Sequence, residues 1–503
     1  MDEPVRDLVV RGCDVLVEPG DLREQVDLVL AGERVAAVGV GAAGVGGSAA
    51  GAGARELDGR GLLAIPGLVN AHTHSPENCL RGVGEGLGLE PWLMTMFGAG
   101  GDLDAEAHEV TVLAGAAEML RNGTTSVIDH LWMTPPSPRA LDAALRAYAA
   151  SGMRATVAPL MEDRDVTDQL AAQLGLDVSA GLVTALPEAL GTTELLAVLR
   201  HAFETWHGAE DGRLRILAGP GGVQWASDEL LLGSAELAAR HGGGVHIHLL
   251  ETTVQAAACR AAFGRSGLQR LADLGLVGPG LSLPHSVWIE AADVETIAAG
   301  GATVVHNPAA NTRLGSGRAP IAALLRAGAH VALGTDGSAS SDNQSVWDAM
   351  KLAALIHNDA DADVWVGSAE VLRMATTGGV RVMARGGGGA AGATADGLGT
   401  LRPGAPADFA LLDRRVSGLA GAFALEPSLV LSEDGRAVRH VFVAGRQLVA
   451  DGRCLTIDEA DVNGRLRELA QRRARDADPL PAAVARAVGQ MRALRQALAE
   501  RGP

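Results

Sequence analysis

Apolar and polar positions change their period along this chain, and the changes mark out its architecture. Residues 6 to 40 alternate in short stretches, LVVRGCDVLV, VDLVLAG and ERVAAVGV, broken by Pro-Gly and Gly-Glu turn signals, which predicts a small β unit. Eight short runs of nearly continuous apolar character follow: 67–74, 125–130, 154–160, 215–221, 244–250, 281–287, 302–308 and 331–337. Such runs predict strands buried on both faces, as in a parallel sheet, and the stretches between them carry helical spacing. EAHEVTVLAGAAEMLRNG is the clearest of these helices, with Asn122-Gly123 placed to end it. Eight strand-helix units predict a (β/α)8 barrel. An open doubly wound sheet is the weaker alternative, because no G-x-G-x-x-G turn follows any strand. DFALLD and HVFVAGRQLV form a second strand-rich stretch near the far end, predicted to pair with the first into one β-sandwich. The expected division is therefore a sandwich part at 1–64, a barrel at 65–390, a second sandwich part at 391–455 and an Arg-rich helical tail at 456–503. Residues 41–55 are nearly all Gly and Ala and are expected to form a flexible loop, and 386–397 is a comparable run. The tail is expected to pack on the outside or on a partner.

Composition narrows the function. At 503 residues the chain exceeds one ordinary core, which agrees with a large barrel plus a second unit. Hydrophobic residues at 47% and charged residues at 20% exclude wholesale disorder. Lys plus Arg is 42 against 60 for Asp plus Glu, and the resulting net charge of −18 disfavours nucleic acid and anionic membranes as partners. The first residues have no apolar signal-like core and no run is long enough to span a bilayer, so a cytoplasmic protein is expected. Cys13, Cys79, Cys259 and Cys454 form no C-x-x-C pair, which speaks against a disulfide framework or a thiolate zinc site. A small-molecule substrate and a homo-oligomer are the expected partners.

Chemistry gathers at the predicted strand ends: His72 and His74, Asp129 and His130, His246 and His248, His285, His306 and Asn307, and Asp336. Barrel enzymes build their active sites at that face, so these side chains should converge on one mouth. His72 and His74 are two apart on a strand, which turns both imidazoles to the same side and lets them share one metal. His248 lies at the end of strand five, three residues before Glu251, giving a candidate ligand and a candidate proton carrier. His246 competes as ligand, with His248 preferred because His246 lies one layer deeper. Asp336 can ligate a cation through one oxygen and accept a proton with the other. His285 can donate a hydrogen bond where negative charge develops. Trp92, Trp225 and Trp288, with Trp132, fall on or after strand ends and are candidates to stack on a flat ring. Isolated histidines in helical or loop contexts read as ordinary structural residues.

IPGLVNAHTH at 65–74, Trp92-Leu93 followed by EMLRNGTTSVIDH, HLLET at 248–252, PHSVWI at 284–289, HNPAANTRLGSG at 306–317, GTDG at 334–337 and the closing GTLRPGAPADFALLD together resemble the amidohydrolase superfamily. The resemblance is to its branch of methylthioadenosine/adenosylhomocysteine deaminases, guanine and cytosine deaminases and triazine hydrolases. It implies an α/β fold, a (β/α)8 barrel with a β-sandwich from both chain ends. It implies His72, His74, His248 and Asp336 as metal ligands, Glu251 as proton shuttle and His285 as the group that polarises the substrate. Relatives outside this branch bridge two metals through a carbamylated lysine on strand four. Here Lys351 is the sole lysine and lies beyond Asp336, so one divalent cation, Zn2+ or secondarily Fe2+, is expected. The implied activity is hydrolytic deamination of an amino-substituted heterocycle, with a nucleoside deaminase, a chlorohydrolase or a cyclic amide hydrolase as alternatives and a non-catalytic scaffold as a remote one. Where the nucleoside deaminases typically carry Gly-Pro-His, this chain reads Gly219-Pro220-Gly221, which leaves room beside the substrate and makes Gln224 or Trp225 a candidate contact there, while His306 and Asn307 at their strand end are further, less specific candidates.

Overall fold

The computed structural model describes residues 7–42, 53–176, 190–384, 396–477 and 481–501. Most of the Gly/Ala run at 41–55, most of the 386–397 run and the expected boundary at 390 lie outside the described residues.

Eight parallel strand positions close into a barrel. The first three strands, Leu68–Thr73, Thr124–Leu131 and Arg154–Met161, are buried at nearly every position, as two-sided covering requires. The fourth is split into Leu214–Ile216 and Gly219–Pro220, and Val245–His246, Leu281–Pro284, Thr303–His306 and His330–Leu333 complete the set. The pairing within each half is parallel throughout. Bridges at Ala218–Val245 and Gly222–His248 join the halves. On the other side the chain after the eighth strand returns to the first, with Asp336 N–H donating to His72 O at 2.9 Å. The predicted helix is Ala105–Arg121, opened by the Asp104 side chain accepting from Ala107 N–H and closed at Asn122, with Gly123 at φ 81°.

Both chain ends meet in a nine-stranded sheet. Phe409–Asp413 pairs antiparallel with Leu62–Pro66, which in turn runs parallel to Leu8–Glu18. Val10, Leu28, Ala64, Leu411, Phe409 and Phe442 share one core on its inner side, so the sheet folds over as the expected sandwich. A buried two-point pair, Arg154 with Asp408 at 2.8 and 2.9 Å, fastens it to the third barrel strand.

The C-terminal tail packs on helices outside the barrel strands. Glu459–Asp476 lies on the helix Ala105–Arg121, whereas Ala482–Arg501 packs on Leu89–Gly100, a helix that walls the cavity described below. Leu89–Gly100 is apolar on more than one face and needs cover on both, so Met94 joins Ala487, Val488, Met491 and Leu494 in one cluster. Among the described residues no helix is long and apolar enough to cross a membrane.

Candidate metal centre and active-site cavity

Strand ends aim three imidazoles at one point, and a hydrogen bond behind each ring fixes which nitrogen faces forward. His74 Nδ1–H donates to His130 O at 2.6 Å, and His248 Nδ1–H donates to Gly221 O at 2.5 Å. His72 Nδ1 meets His246 Nε2 at 2.8 Å, while His246 Nδ1 meets Ser282 Oγ at 2.6 Å and Ser282 Oγ reaches Val245 O at 3.3 Å. Since the carbonyl can only accept, protons along this relay run outward from His72. All three forward Nε2 atoms are thereby left with lone pairs. They crowd together: His248 Nε2 is 3.3 Å from His74 Nε2, and Asp336 Oδ1 lies 3.4 Å from His74 Nε2 and 3.5 Å from His72 Nε2. His72 Nε2 is buried without a hydrogen-bond partner. Burial, reinforced by the crowding of neighbouring imidazoles, holds His72 and His248 well below the usual histidine range. Neutral rings with converging lone pairs and a carboxylate fit a divalent cation. His246, the competing ligand candidate, has its Nε2 committed to His72, and burial pushes it down to about 3. His130 donates Nε2–H to Gly219 O and stacks on His248 at 4.7 Å, a plate behind the cluster.

Beside the cluster lies the acid-base group of side chains. His285 Nε2 is 3.6 Å from Glu251 Oε2 and 3.7 Å from Asp336 Oδ2, and its Nδ1–H is held by Asn311 Oδ1 at 2.8 Å. His285 and Asp336 both take left-handed backbone, φ 70° and 66°, a conformation that is costly for side-chain-bearing residues and is held here by His285 N–H on Val305 O and Asp336 N–H on His72 O. Ser316 Oγ–H donates to Glu251 Oε1 at 2.8 Å. Burial pushes the Glu251 carboxyl up to about 7, with Asp336 adding to it and His285 opposing. Glu77 is buried below the loop after strand eight, where it accepts from Ala339 N–H and Ser340 N–H, both at 2.9 Å. It braces the turn that carries Asp336, and burial raises it to about 7.

Above these groups is a tight cavity of about 50 Å3 lined by His74, His248, Glu251, His285 and Asp336 and walled by Trp92, Met96, Phe97, Trp132, Leu160 and Trp225. Trp92 and Trp225, candidates to stack on a ring, are thus both on the cavity wall. Gln224, Trp288, His306 and Asn307 do not line it: the Trp288 indole N–H is tied to Ser316 O, His306 faces His357, and Asn307 sits 3.4 Å from His285 Nε2. The room expected beside Gly221 is filled, because a Cβ there would lie 2.4 Å from Glu162 Oε1. Glu77 and Glu162 line the cavity and were not singled out by sequence reasoning. Glu77 lay three residues past a conspicuous H-x-H; Glu162 directly follows a strand end and only the Gly221 departure pointed towards it. A wider groove of about 590 Å3 between Glu118, Arg121, Arg436 and Asn463 contains none of the strand-end groups.

The Amidohydrolase family model matches residues 63–448. A 5-methylthioadenosine/S-adenosylhomocysteine deaminase of Nitratidesulfovibrio vulgaris is 33% identical, over 92% of this chain and 98% of that protein. An adenosine deaminase from Xanthomonas campestris, solved with bound zinc, superposes with a TM-score of 0.80 at 26% identity, covering 93% of this chain and 99% of that one. An atrazine chlorohydrolase from Arthrobacter aurescens, complexed with zinc, gives 0.78 at 25% identity over 92% and 100%.

Proposed function

The chain belongs to the amidohydrolase family, and from that premise we propose that it is a metal-dependent hydrolase that deaminates an amino-substituted N-heterocycle and releases ammonia. The observation that carries this reading is the convergence of three Nε2 lone pairs and the Asp336 carboxylate, each imidazole held in register by a hydrogen bond behind it. His72, His74, His248 and Asp336 would hold one divalent cation, zinc by first choice and iron by second. Lys351 is exposed on the helix Val346–Leu355, away from the strand-four position a bridging lysine needs. When bound, the cation supplies Lewis acidity and brings the pKa of water towards about 7.

The chain's own groups divide the proton traffic. Asp336 Oδ2 takes the proton of the water that attacks the amino-bearing ring carbon. Glu251 Oε2 carries a proton to the ring nitrogen, a task suited to a carboxyl poised near neutrality. His285 Nε2 stands between the two oxygens and orients the ring atom where charge accumulates. Asp336 returns its proton to the amino group as the C–N bond breaks, and the new hydroxyl gives its proton back to Glu251, which leaves ammonia and the carbonyl product. The aromatic wall excludes water and offers flat faces to the ring.

Within the family the chain's substrate is a compact amino-heterocycle in preference to adenosylhomocysteine. Among the described residues lining the cavity there is neither arginine nor lysine, so a carboxylate tail finds no cation from them. The nucleoside-deaminase reading remains the alternative because of the relatives' names. Metal analysis of purified protein, joined to a screen of aminopurines, pterins, aminopyrimidines and triazines for ammonia release, tests the proposal. One equivalent of metal and ammonia from a compact base are expected. Two equivalents, or a kcat/KM for methylthioadenosine near about 10⁵ M⁻¹s⁻¹ with no better base, would overturn its finer parts.

A further inference from the structure

One carboxyl in the cavity is unspent. Glu77 accepts from the Ala339 and Ser340 amides, Glu251 from Ser316 and Asp336 from Gly337 N–H. Around Glu162 the neighbouring charges are committed to structure. Asp163 accepts from Ser227 N–H, Ser227 Oγ–H and Thr192 Oγ1–H, Asp165 accepts from Thr167 N–H, and the Arg164 guanidinium lies over the Phe263 ring at 5.7 Å. Among the described residues no donor and no cation pairs with the Glu162 carboxyl, and its nearest charged influence is the like-charged Asp165. Burial, with Asp165 adding to it, pushes Glu162 up to about 8. Glu162 is half-buried and opens on the cavity, so its acceptor oxygens stand free to meet donors that a ligand brings.

Its position gives that cost a use. Glu162 follows the third strand directly and lies flat over Gly221, with Oε1 2.4 Å and Cγ 2.7 Å from where a residue-221 Cβ would stand. A side chain at position 221 and Glu162 in this pose exclude each other, so glycine on strand four is the condition for a carboxyl on strand three to enter the cavity. It shares the cavity rim with Trp132, Leu160 and Trp225, beside His248 and Glu251.

We propose that Glu162 is the specificity-determining residue of this site, accepting hydrogen bonds from a ring N–H or an exocyclic amino group other than the one that leaves. The inference rests on the deaminase reading and narrows its substrate class to heterocycles carrying such a second donor. A hydrogen bond to a carboxyl acceptor in the cavity contributes selectivity of roughly tenfold.

Two matched pairs test it: 2,6-diaminopurine against adenine, and melamine against 2-amino-1,3,5-triazine. Binding to the metal-loaded full chain is followed by calorimetry, and ammonia release is measured in parallel. The wild type should bind the amino-rich member of at least one pair more tightly, on the order of tenfold or more. Glu162→Ala should abolish that preference while binding of the amino-poor member changes little, and Glu162→Gln, which keeps one acceptor oxygen, should fall between. No preference in either pair, or equal weakening of both members in Glu162→Ala, overturns the assignment. Ammonia release with a selectivity ratio unchanged by Glu162→Ala would sink the role of Glu162 and leave the deaminase reading standing. A Glu162-dependent binding preference without ammonia from any compound would do the reverse.

Discussion

The floor and the wall of the cavity are built by opposite means. On the floor, His72, His74, His248, His285 and Asp336 stand at the ends of four barrel strands, each tied by a hydrogen bond to a neighbouring strand. The longest stretch of the wall is one helix, Leu89–Gly100, pressed against the floor by a second helix from the far end of the chain, with Trp132, Leu160 and Trp225 completing it. Arg495 Nη1 reaches Glu90 Oε2 at 2.5 Å across 405 positions of sequence, and the Arg495 guanidinium also approaches Gly315 O. The floor is hydrogen-bonded and buried from all sides, so its geometry is predetermined. The wall depends in large part on apolar packing between two helices, a kind of contact that can yield when a ring enters. Chemistry and access are therefore assigned to different parts of the chain.

The largest effect should follow from damage to the floor. His72→Ala or His248→Ala removes a forward Nε2 and should lose metal and activity together, by more than the roughly 100-fold that changes behind a metal ligand cost. Metal content after gel filtration and turnover on the best base measure both. His246→Ala should cost less, because it removes the group that orients His72 and leaves the lone pairs in place. Full metal loss in His246→Ala, with His248→Ala still loaded, would reverse the assignment of the fifth strand. Next comes Glu251→Gln, which should retain metal and lose turnover by a factor of about 10² or more. Wild-type turnover in that variant would remove Glu251 from the proton path.

The same division explains what the sequence disclosed. Floor residues sit on short strands whose period and endings are local signals: Pro66-Gly67 before the His72 and His74 pair, Thr252 opening a helix just after Glu251, Gly334 before Asp336. The barrel and the sandwich followed from the same local periodicities. Nothing local marks Leu89–Gly100 as a wall or Ala482–Arg501 as its backing, since the tail reads as a charged helix wherever it packs. Gln224, Trp288 and His306 lie near strand ends without lining the cavity for a related reason: proximity to a strand end does not say which way a side chain leaves it, and Trp288 is tied to Ser316 O while His306 faces His357. Glu162 was invisible because its position is set by an absence, the missing side chain at Gly221.

Breaking the wall should give a smaller and different result. A chain ending at residue 477 lacks the helix that covers Met94 and loses the Arg495–Glu90 pair. Metal content should be unchanged, kcat should fall by only a few-fold, and KM should rise on the order of tenfold, as expected when a binding surface is loosened and the reacting groups are not touched. Loss of metal in the shortened chain would show that floor and wall are not separable.

The smallest effect concerns the carboxyl that stands between them. Glu162 is pushed up to about 8 in the folded chain, against an ordinary value near 4.5, so between those limits the folded state holds a proton that the unfolded state has released. Stability attributable to this group is therefore undiminished below about pH 4.5, falls as pH rises towards about 8, and falls no further above it. Glu162→Gln removes the titration and keeps the shape, so its thermal midpoint should draw ahead of the wild type as pH increases across that window. The carboxyl opens on the cavity and is partly screened, which holds the expected gain to the order of 1 kcal/mol, or roughly one to two degrees in a chain of this size. Melting curves of both proteins at pH 5 and pH 8.5 in one ionic strength decide it. A constant difference between the two proteins would mean that Glu162 is ionised throughout, its charge balanced by solvent in the cavity, and that the boundary between floor and wall is wet before any substrate arrives.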